Sequence, residues 1–313
     1  MLNGRERQVC ARVVINATGI FADAILRMDY PAATPIITHS QGIHLVFNKR
    51  FLRGTTAIMV PQTEDGRVLF AVPWHDRVLV GTTDTKVAAA WLEPRPLDAE
   101  IDFILKHAAQ YMVEDPTRQD ILCMFAGIRP LVGGGEGKKT AAISRDHHLE
   151  VSQSGLVTIT GGKWTTYRKM AEDAVNQASL IAGLPEFDCR TRSLRIHGWL
   201  KNLDAQDPLR AYGSDAVFIR RIIDADPSLG AKLHNRLPYV KAEVVWAVRN
   251  EMALSVEDVL SRRTRALILD AAASMESAEE TARLMARELG QDVQWQHRQA
   301  SAFKRLAQGY LPE

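Results

Sequence analysis

The segment LVTITGGKWTTYR (residues 156–168) joins an apolar strand, a double glycine and the start of a helix. Backbone N–H groups at the start of a helix have no partner within the helix, and the helix dipole makes that end partly positive. Glycine lets the chain turn sharply there and lets a ligand approach the backbone. The segment therefore predicts a strand–turn–helix unit whose turn favours an anion or a partial negative charge.

Three cations, Arg129, Arg145 and Lys163, come from separate parts of the region that surrounds this segment. They would add positive charge to an anion site, and three solvated surface charges are the alternative that the residues alone leave open. The glycine-rich stretch that begins at Gly133 is not a Walker A loop, because Val132 stands where that motif requires its first glycine. A surface loop is the simpler interpretation of this stretch.

The composition of the chain is that of an ordinary soluble globular protein. Its 313 residues, 46% of them hydrophobic, suffice for roughly two or three packed units. With 39 Lys and Arg against 37 Asp and Glu, the formal net charge is +2, which creates no overall field that would favour nucleic acid. No apolar run approaches the roughly 18 residues that span a bilayer, and no apolar core of a signal peptide follows the first residues.

The three cysteines, Cys10, Cys123 and Cys189, are odd in number and far apart along the chain. They form neither a disulfide framework nor a metal-ligand pattern, so the sequence predicts no metal site. This use of cysteine is typical of a reducing cytosol.

The first part of the chain has the pattern of a nucleotide-binding sheet. Residues 8–18 predict a strand whose apolar run, Val13-Val14-Ile15, is expected to be buried on both faces. Ala17-Thr18-Gly19 predicts a tight turn or a close approach to a ligand, and residues 21–28 predict a short helix. A G-x-G-x-x-G turn is absent from the sequence, so this unit is typical of the end of such a sheet.

Between residues 35 and 84 the apolar period changes to two, which predicts an antiparallel sheet suited to cover a substrate. His44 alternates with Ile43 and Leu45 and is therefore expected on the face opposite the large apolar side chains. Residues 67–73 and 77–83 predict a hairpin. Residues 97–112 then return to helical spacing, with an apolar stripe formed by Ile101, Ile104, Leu105, Ala108 and Met112.

The remainder of the chain is predicted to be helical. A helix begins after Lys163, with Thr165 or Thr166 as its N-cap and Gly183 after its end. Its apolar stripe comprises Tyr167, Met170, Ala171, Ala174, Val175, Ala178 and Ile181. Residues 189–197 predict a basic linker into a helical unit. In that unit Ser255 with Asp258, and Ser277 with Glu280, have the spacing of capping boxes, and Gly290 predicts a helix end.

Four groups of motifs stand in a distinctive order along the chain. They are Val14-Ile-Asn-Ala-Thr-Gly19; Ser40-Gln-Gly-Ile-His44; Val72-Pro-Trp74 with Gly81-Thr-Thr-Asp84; and Ala126-Gly-Ile-Arg-Pro-Leu131 with Ser144-Arg-Asp146 and Gly161-Gly-Lys-Trp-Thr-Thr-Tyr-Arg168. In type and spacing they resemble the C-terminal part of the FAD-dependent glycerol-3-phosphate dehydrogenases, in the D-amino-acid-oxidase-like flavoprotein superfamily. Each motif is weak alone, whereas the set is highly specific and covers nearly all of the chain.

The resemblance implies a mixed α/β and α+β fold. Residues 1–30 would be the end of a three-layer FAD-binding domain, residues 31–125 an antiparallel-sheet substrate domain, residues 126–188 a return to the FAD-binding domain, and residues 189–313 an all-α C-terminal domain. Family members begin with a strand and a G-x-G-x-x-G turn that hold the FAD pyrophosphate. This sequence contains neither, so a fragment, or a second chain that supplies that half, is expected.

The resemblance also implies the chemistry and the residues that perform it. Oxidation of a secondary alcohol by a flavin needs a base, positive charge for the substrate phosphate and dipoles directed at the flavin. His44, Arg129 and Lys163 are the expected catalytic residues, with His44 as base, and Arg145 joins these three in binding substrate. The residues alone would favour a structural core histidine at position 44. The expected FAD contacts are Ala17, Thr18, Gly19, Gly127, Arg129, Gly161, Gly162, Lys163, Thr165 and Thr166.

The expected reaction is the oxidation of sn-glycerol 3-phosphate to dihydroxyacetone phosphate, with electrons passing from FAD to a quinone. By resemblance the protein would be cytoplasmic, peripheral on the inner face of the cell membrane, and a homodimer. Three alternatives stay open: a glycerol-3-phosphate oxidase that uses oxygen, another flavoenzyme of the same superfamily, and a non-catalytic remnant that holds no FAD. An amine-oxidising relative would hardly place three cations around its substrate.

Overall fold

A computed structural model describes residues 6–61, 63, 66–133 and 146–312, which fall into two compact units. Unit 1 comprises Met1–Gly42, Asp84–Pro94 and Gly127–Leu194, and unit 2 comprises Ile43–Thr83, Arg95–Ala126 and Arg195–Glu313. The boundary at Leu194 falls within the predicted basic linker, whose residues form turns and coil.

The helices and strands have the following bounds. The strands are β1 (Ile15–Asn16), β2 (Ile37–Asn48), β3 (Ile58–Val60), β4 (Leu69–Trp74), β5 (Arg77–Gly81), β6 (Thr85–Lys86), β7 (Cys123–Val132), β8 (His147–Val151) and β9 (Val157–Gly161). The α-helices are α1 (Ala22–Asp29), α2 (Asp98–Ala108), α3 (Tyr167–Ile181), α4 (Ala216–Ala225), α5 (Lys241–Asn250), α6 (Ala266–Leu269), α7 (Ala271–Glu276), α8 (Ala278–Leu289) and α9 (Val293–Gln308). Short 3₁₀ turns occupy Gly19–Phe21, Lys49–Phe51, Arg118–Asp120, Trp164–Thr166, Arg210–Asp215 and Pro227–Gly230, and a π-helical turn occupies Asp258–Arg263.

Unit 1 is built on a small sheet with the strand order β1-β9-β8. β1 and β9 are parallel, and β8 is antiparallel to β9. A helix follows each parallel strand, α1 after β1 and α3 after β9. The predicted strand–turn–helix pattern at residues 156–168 is therefore confirmed.

β1 is shorter and more exposed than the sequence predicted. Of residues 8–18 only Ile15–Asn16 is strand, and both Val14 and Ile15 are exposed. The expectation of a long strand buried on both faces was wrong. In the described residues β1 stands at the end of the sheet order and pairs with β9 alone, so little of the chain covers it.

α3 begins and ends where predicted, with Gly183 in the left-handed region at φ +61°. Its predicted apolar stripe is only partly buried. Ala174 and Ala178 are buried, whereas Tyr167 and Val175 are more than half exposed. The stripe prediction was therefore too broad, because the three-stranded sheet beneath α3 is small.

The second sheet has the strand order β3-β4-β5-β2-β6, and β7 also pairs with β2. β4 and β5 form the predicted hairpin, and β5 pairs antiparallel with residues 44–48 of β2. Ile43 and Leu45 lie in one buried cluster with Ile104 of α2, whereas Val46 lies in another cluster with the C-terminal helices. The period of two therefore predicted correctly which residues of β2 share a face.

The C-terminal part of unit 2 is helical, as predicted, and Val46 of β2 and Cys123 of β7 join the core of these helices. Ser255 and Asp258 make the reciprocal bonds of a capping box, whereas Ser277 does not, because its hydroxyl donates to the Ala273 carbonyl at 2.7 Å. The capping box predicted at Ser277 was therefore wrong. Gly290 ends α8 in the left-handed region, as its position predicted.

A buried carboxyl group stands at the start of α5. Glu243 accepts hydrogen bonds from the Val240 N–H at 2.6 Å and from the Tyr212 hydroxyl at 2.9 Å. Because Glu243 is only 4% exposed, burial raises its pKa to about 7. The same burial and the nearby Glu243 charge also raise the pKa of Tyr212.

A buried ion pair connects the sheet of unit 2 with its helices. Asp270 is 1% exposed and caps α7 by accepting from the Ala273 N–H at 2.8 Å. Its other carboxylate oxygen lies 3.6 Å from Nη2 of Arg77 on β5, which also donates to the Arg236 carbonyl at 2.9 Å. Asp270 therefore serves both as a helix cap and as the partner of a nearly buried cation.

No helix in the described parts of the chain is long and apolar enough to cross a membrane. All three cysteines are free: Cys10 is exposed, Cys189 is half-buried and Cys123 is buried. Burial raises the pKa of the Cys123 thiol well above its usual value.

Candidate functional site

The carboxyl ends of β1 and β9 meet at one edge of the unit 1 sheet, because the two strands are parallel. Thr18 and Gly19 follow β1, Gly161 ends β9 and Gly162 follows it; we call these four residues the glycine edge. Ligands of open α/β sheets bind outside the carboxyl ends of the strands. The structure thus brings together two groups of predicted cofactor residues that are far apart in the sequence.

The glycines of this edge are required by the backbone. Gly19, Gly161 and Gly162 have φ values of +59°, +74° and +72°, a region that other residues rarely adopt. A Cβ at Gly162 would lie 2.6 Å from Sδ of Met170, and one at Gly161 would lie 3.0 Å from the Asp146 carbonyl. At Gly19, by contrast, a Cβ would meet nothing within 4 Å, so the bare backbone there faces open space.

The helix start after Gly162 is made in two steps. A 3₁₀ turn, Trp164–Thr166, precedes α3, and neither element has an acidic residue in its first turn. The Thr166 hydroxyl accepts from the Lys163 N–H at 3.2 Å and donates to the Lys163 carbonyl at 2.9 Å. Thr166 therefore closes the 3₁₀ turn. It stands at the N-cap position of α3, one of the two predicted positions, but its side chain makes no cap bond to that helix.

The surface of this turn carries an exposed aromatic pair. Trp164 is 84% exposed and stacks on Tyr167, with ring centroids 5.1 Å apart and planes inclined by 20°. Lys163 and Thr165 on either side of Trp164 are exposed as well.

Arg129 lies against a glycine of a neighbouring strand. A Cβ added to the buried Gly42 of β2 would come within 2.6 Å of Nη1 and 2.7 Å of Cζ of Arg129. A side chain at position 42 would therefore displace the guanidinium, which is half-buried on β7, from the place that it occupies. Arg145 and most of the glycine-rich stretch, residues 134–145, lie outside the described residues.

His44 is held between two neighbours in unit 2. Its ring stacks on Phe125, with centroids 5.4 Å apart and an interplanar angle of 18°. On β5, Gly81 is its partner in the antiparallel register, and a Cβ there would lie 2.8 Å from both Cγ and Nε2 of His44. His44 faces away from Ile43 and Leu45, as the alternation predicted.

The sequence reasoning missed Gly42, Gly81 and Phe125 as partners of candidate site residues. An isolated glycine within a strand often marks a close approach by another group, and this signal was present at positions 42 and 81. Phe125 offered no comparable signal. Thr83, at the end of the predicted hairpin, proves to be a structural residue whose hydroxyl donates to Glu100 at 2.8 Å and accepts from the Ile43 N–H at 3.1 Å.

The predicted site residues are distributed over both units. His44 belongs to unit 2, and the other candidates within the described residues belong to unit 1. Among the side chains that the structure describes, no group of three or more His, Cys, Asp and Glu could hold a metal ion.

Comparison with known families agrees with the chemistry of these residues. Residues 2–168 match the family model described as FAD dependent oxidoreductase. The chain belongs to this FAD dependent oxidoreductase family. Residues 129–296 also match the model described as the C-terminal domain of alpha-glycerophosphate oxidase, and this match covers most of the helical part of the chain. The predicted resemblance is therefore confirmed.

Individual relatives of this chain are glycerol-3-phosphate dehydrogenases. The mitochondrial enzyme of Rattus norvegicus is 37% identical, over 92% of this chain and 42% of the relative, and that of Homo sapiens is 36% identical, over 93% and 43%. A crystal structure of the glycerol-3-phosphate dehydrogenase from Bacillus halodurans complexed with FAD is 26% identical and has a TM-score of 0.82, covering 99% of this chain and 65% of that chain. The predicted mixed fold with a helical C-terminal part is thereby confirmed.

The chain spans less than half the length of the curated relatives it matches. The residues that it does contain fit one part of FAD. Gly19 and Gly127 present bare backbone, because a Cβ at either would meet nothing within 4 Å. Lys163, directly after the glycine edge, is exposed, and neither the 3₁₀ turn nor α3 has an acidic residue in its first turn. The glycine edge therefore suits the electron-rich side of a flavin ring. The sequence has no G-x-G-x-x-G turn for the pyrophosphate.

Proposed function

We propose that this chain forms the substrate-binding and flavin-contacting part of an FAD-dependent glycerol-3-phosphate dehydrogenase. The reaction is the oxidation of sn-glycerol 3-phosphate to dihydroxyacetone phosphate. The observation that carries the proposal is the guanidinium of Arg129 on β7, which lies against the bare backbone of Gly42 on β2. A guanidinium beside bare backbone suits a phosphorylated alcohol better than an uncharged substrate.

His44 is proposed as the general base that accepts the substrate hydroxyl proton. The stack on Phe125 and the contact with Gly81 restrict the orientation of its ring, so a proton acceptor there is held in one geometry. A positioned base of this kind typically contributes about 10²–10⁴-fold to a rate.

Arg129 and Lys163 are proposed to bind the substrate and to stabilise the charge that develops during the reaction. A guanidinium offers two parallel N–H donors to a phosphate or an alkoxide oxygen, and an ammonium acts as a point charge. Arg145 is proposed to join them in binding phosphate, on the basis of its motif in the sequence, Ser144-Arg-Asp146.

FAD is proposed to contact the glycine edge together with Ala17, Gly127, Arg129, Lys163, Thr165 and Thr166. Bound FAD supplies the electron acceptor for the oxidation of the alcohol. The backbone N–H groups of the turn after β9, with the partly positive start of α3, would orient the flavin ring and stabilise negative charge on it.

The wider setting is proposed from the family. Electrons pass to a quinone, and the protein is a homodimer that lies peripherally on the inner face of the cell membrane, in the cytoplasm. From the family we also propose four segments: residues 1–30 and 126–188 bind FAD, residues 31–125 form the substrate domain, and residues 189–313 form the helical domain. Oxygen is the second candidate acceptor, favoured by the match of residues 129–296 to a domain described from an alpha-glycerophosphate oxidase.

Anaerobic reduction of the flavin tests this proposal. A full-length protein that contains this chain, loaded with FAD, is mixed with glycerol 3-phosphate, and the loss of flavin absorbance is followed by stopped flow. We expect rapid bleaching by glycerol 3-phosphate and none by glycerol. Readmission of a quinone or of oxygen then identifies the acceptor by its reoxidation rate. A flavoprotein that glycerol 3-phosphate does not bleach would disprove the proposed activity.

Two variants test the assigned residues. Replacing Arg129 with Ala should lower kcat/KM by about 10²–10³-fold, the usual loss when one stabilising donor is removed. Arg118→Ala is a matched control, because Arg118 pairs with Asp98 and Asp102 on the surface. His44→Gln should slow flavin reduction by at least about 10²-fold. Wild-type kinetics in either site variant would remove that residue from the proposed mechanism.

A further inference from the structure

We propose that Asn16 is a positioning residue which, with Thr158 and Thr160, holds the two halves of the glycine edge at a fixed separation. Thr18–Gly19 and Gly161–Gly162 come from different strands, so a ligand that touches both depends on how these two turns are spaced. A buried polar cluster of Asn16, Thr158 and Thr160 lies directly beneath them. Its members are 2%, 0% and 2% exposed.

The Asn16 side chain uses its full hydrogen-bonding capacity. Its amide nitrogen donates to the Thr158 hydroxyl at 3.3 Å and to the Ala22 carbonyl, at the start of α1, at 3.1 Å. Its carbonyl oxygen accepts from the Thr18 hydroxyl at 2.7 Å and from the Thr18 N–H at 3.4 Å. One side chain thus connects β9, the turn after β1 and the following helix.

The two threonines of β9 complete the connection. Thr158 is the register partner of Asn16 in the parallel pair, and Thr160 lies on the same face of the strand, one period further towards Gly161. The Thr160 hydroxyl donates to the Gly19 carbonyl at 3.4 Å. Hydrogen bonds of buried side chains therefore connect the turn after β1, with Thr18 and Gly19, to the strand that leads to Gly161.

The chemistry of the three positions favours a positioning role over simple stability. Apolar residues of the same shape could replace buried hydrogen-bonded pairs at little cost to stability, whereas a satisfied polar network specifies one geometry. Only asparagine among the small side chains offers two donors and two acceptor lone pairs in one plane. Aspartate could not donate to Thr158 or Ala22, and leucine could make none of the four bonds.

Hydrogen exchange tests the inference without any cofactor. We expect Thr158→Val, which removes the hydroxyl but keeps the shape, to speed amide exchange in peptides covering residues 15–22 and 157–165. The expected factor is about five- to tenfold, corresponding to one lost hydrogen bond. Thr158→Ser should restore slow exchange. Thr281→Val is the matched control, because Thr281 is equally buried in α8 and donates to the Ser277 carbonyl at 2.9 Å.

Titration of the same variants with FAD supplies the second readout, which rests on the proposed function of the glycine edge. Weaker FAD binding by Thr158→Val, with recovery in Thr158→Ser and no change in Thr281→Val, would support the positioning role. The titration uses the full-length protein that contains this chain. If its wild type binds no FAD, the proposed function fails while the exchange result still decides the inference. Equal exchange in Thr158→Val and wild type at both turns would overturn it. Thr160→Val provides an independent test if Thr158→Val does not fold.

Discussion

The contact between Gly81 and His44 allows the effect of a single methyl group to be predicted in some detail. In Gly81→Ala the new Cβ would lie 2.8 Å from Cγ and Nε2 of His44. Cδ2 of His44 would lie closer still, so the imidazole has to move by more than about 0.6 Å to restore contacts of 3.4 Å. Phe125 stacks on the ring, so the displacement has to tilt or slide the imidazole along that face.

A displacement of this size matters for proton transfer. Misplacement of a reacting group by about 1 Å costs about 10²-fold in rate, so Gly81→Ala should slow anaerobic flavin reduction by roughly ten- to 100-fold. The added methyl group should also cost about 1–3 kcal/mol of stability through overpacking. The assay is stopped-flow reduction by glycerol 3-phosphate in the FAD-loaded full-length protein, across a pH series that reports the base.

Val80→Ala is the control for this experiment. Val80 precedes Gly81 on β5, is fully buried and packs in the cluster that contains Leu45, so its truncation lowers stability without crowding His44. We expect Val80→Ala to keep the rate and the pH profile of wild type. A folded Gly81→Ala protein that reduces its flavin at the wild-type rate would show that His44 is not the base.

Two further predictions concern stability. The pKa of Glu243 is raised to about 7, so the folded state favours the protonated acid, and stability falls as pH rises from about 4.5 towards 7. Glu243→Gln should remove up to about 3 kcal/mol from this fall in the free energy of unfolding with pH. Urea unfolding at pH 5 and pH 8 measures the fall, and an equal fall in wild type and Glu243→Gln would contradict the prediction. Asp270→Ala removes the carboxylate near the nearly buried Arg77 and also removes the α7 cap, so it should lower the free energy of unfolding by about 3–5 kcal/mol. Asp270→Asn keeps an acceptor for the cap and should lower it by less. Chemical unfolding of wild type and both variants measures this loss of stability, and an Asp270→Ala protein as stable as wild type would refute the reasoning.

The features that the sequence predicted well depend on residues that are close together along the chain. The face of His44 followed from its alternation with Ile43 and Leu45, and the Gly161–Gly162 turn followed from the strand before it and the helix after it. Such patterns reflect backbone geometry, which repeats over a few residues whatever lies further away. The family motifs added the assignment of roles.

The features that the sequence did not predict depend on distant partners. The burial of Val14 and Ile15 is decided by what covers β1 rather than by their own hydrophobicity. The Ser277 capping box failed because Glu280 pairs instead with Arg283 and Lys241. Phe125 reaches His44 from a strand that no local pattern connects with it.

The exposed Trp164 gives the protein an intrinsic optical reporter at the glycine edge. It is one of six tryptophans, and with 84% of its surface in water its indole should emit at longer wavelength than the buried Trp246. It stands two residues after Gly162 in the chain. A flavin bound at that turn would quench this emission by energy transfer, so fluorescence alone could follow the loading of the protein in real time, without substrate and without a label.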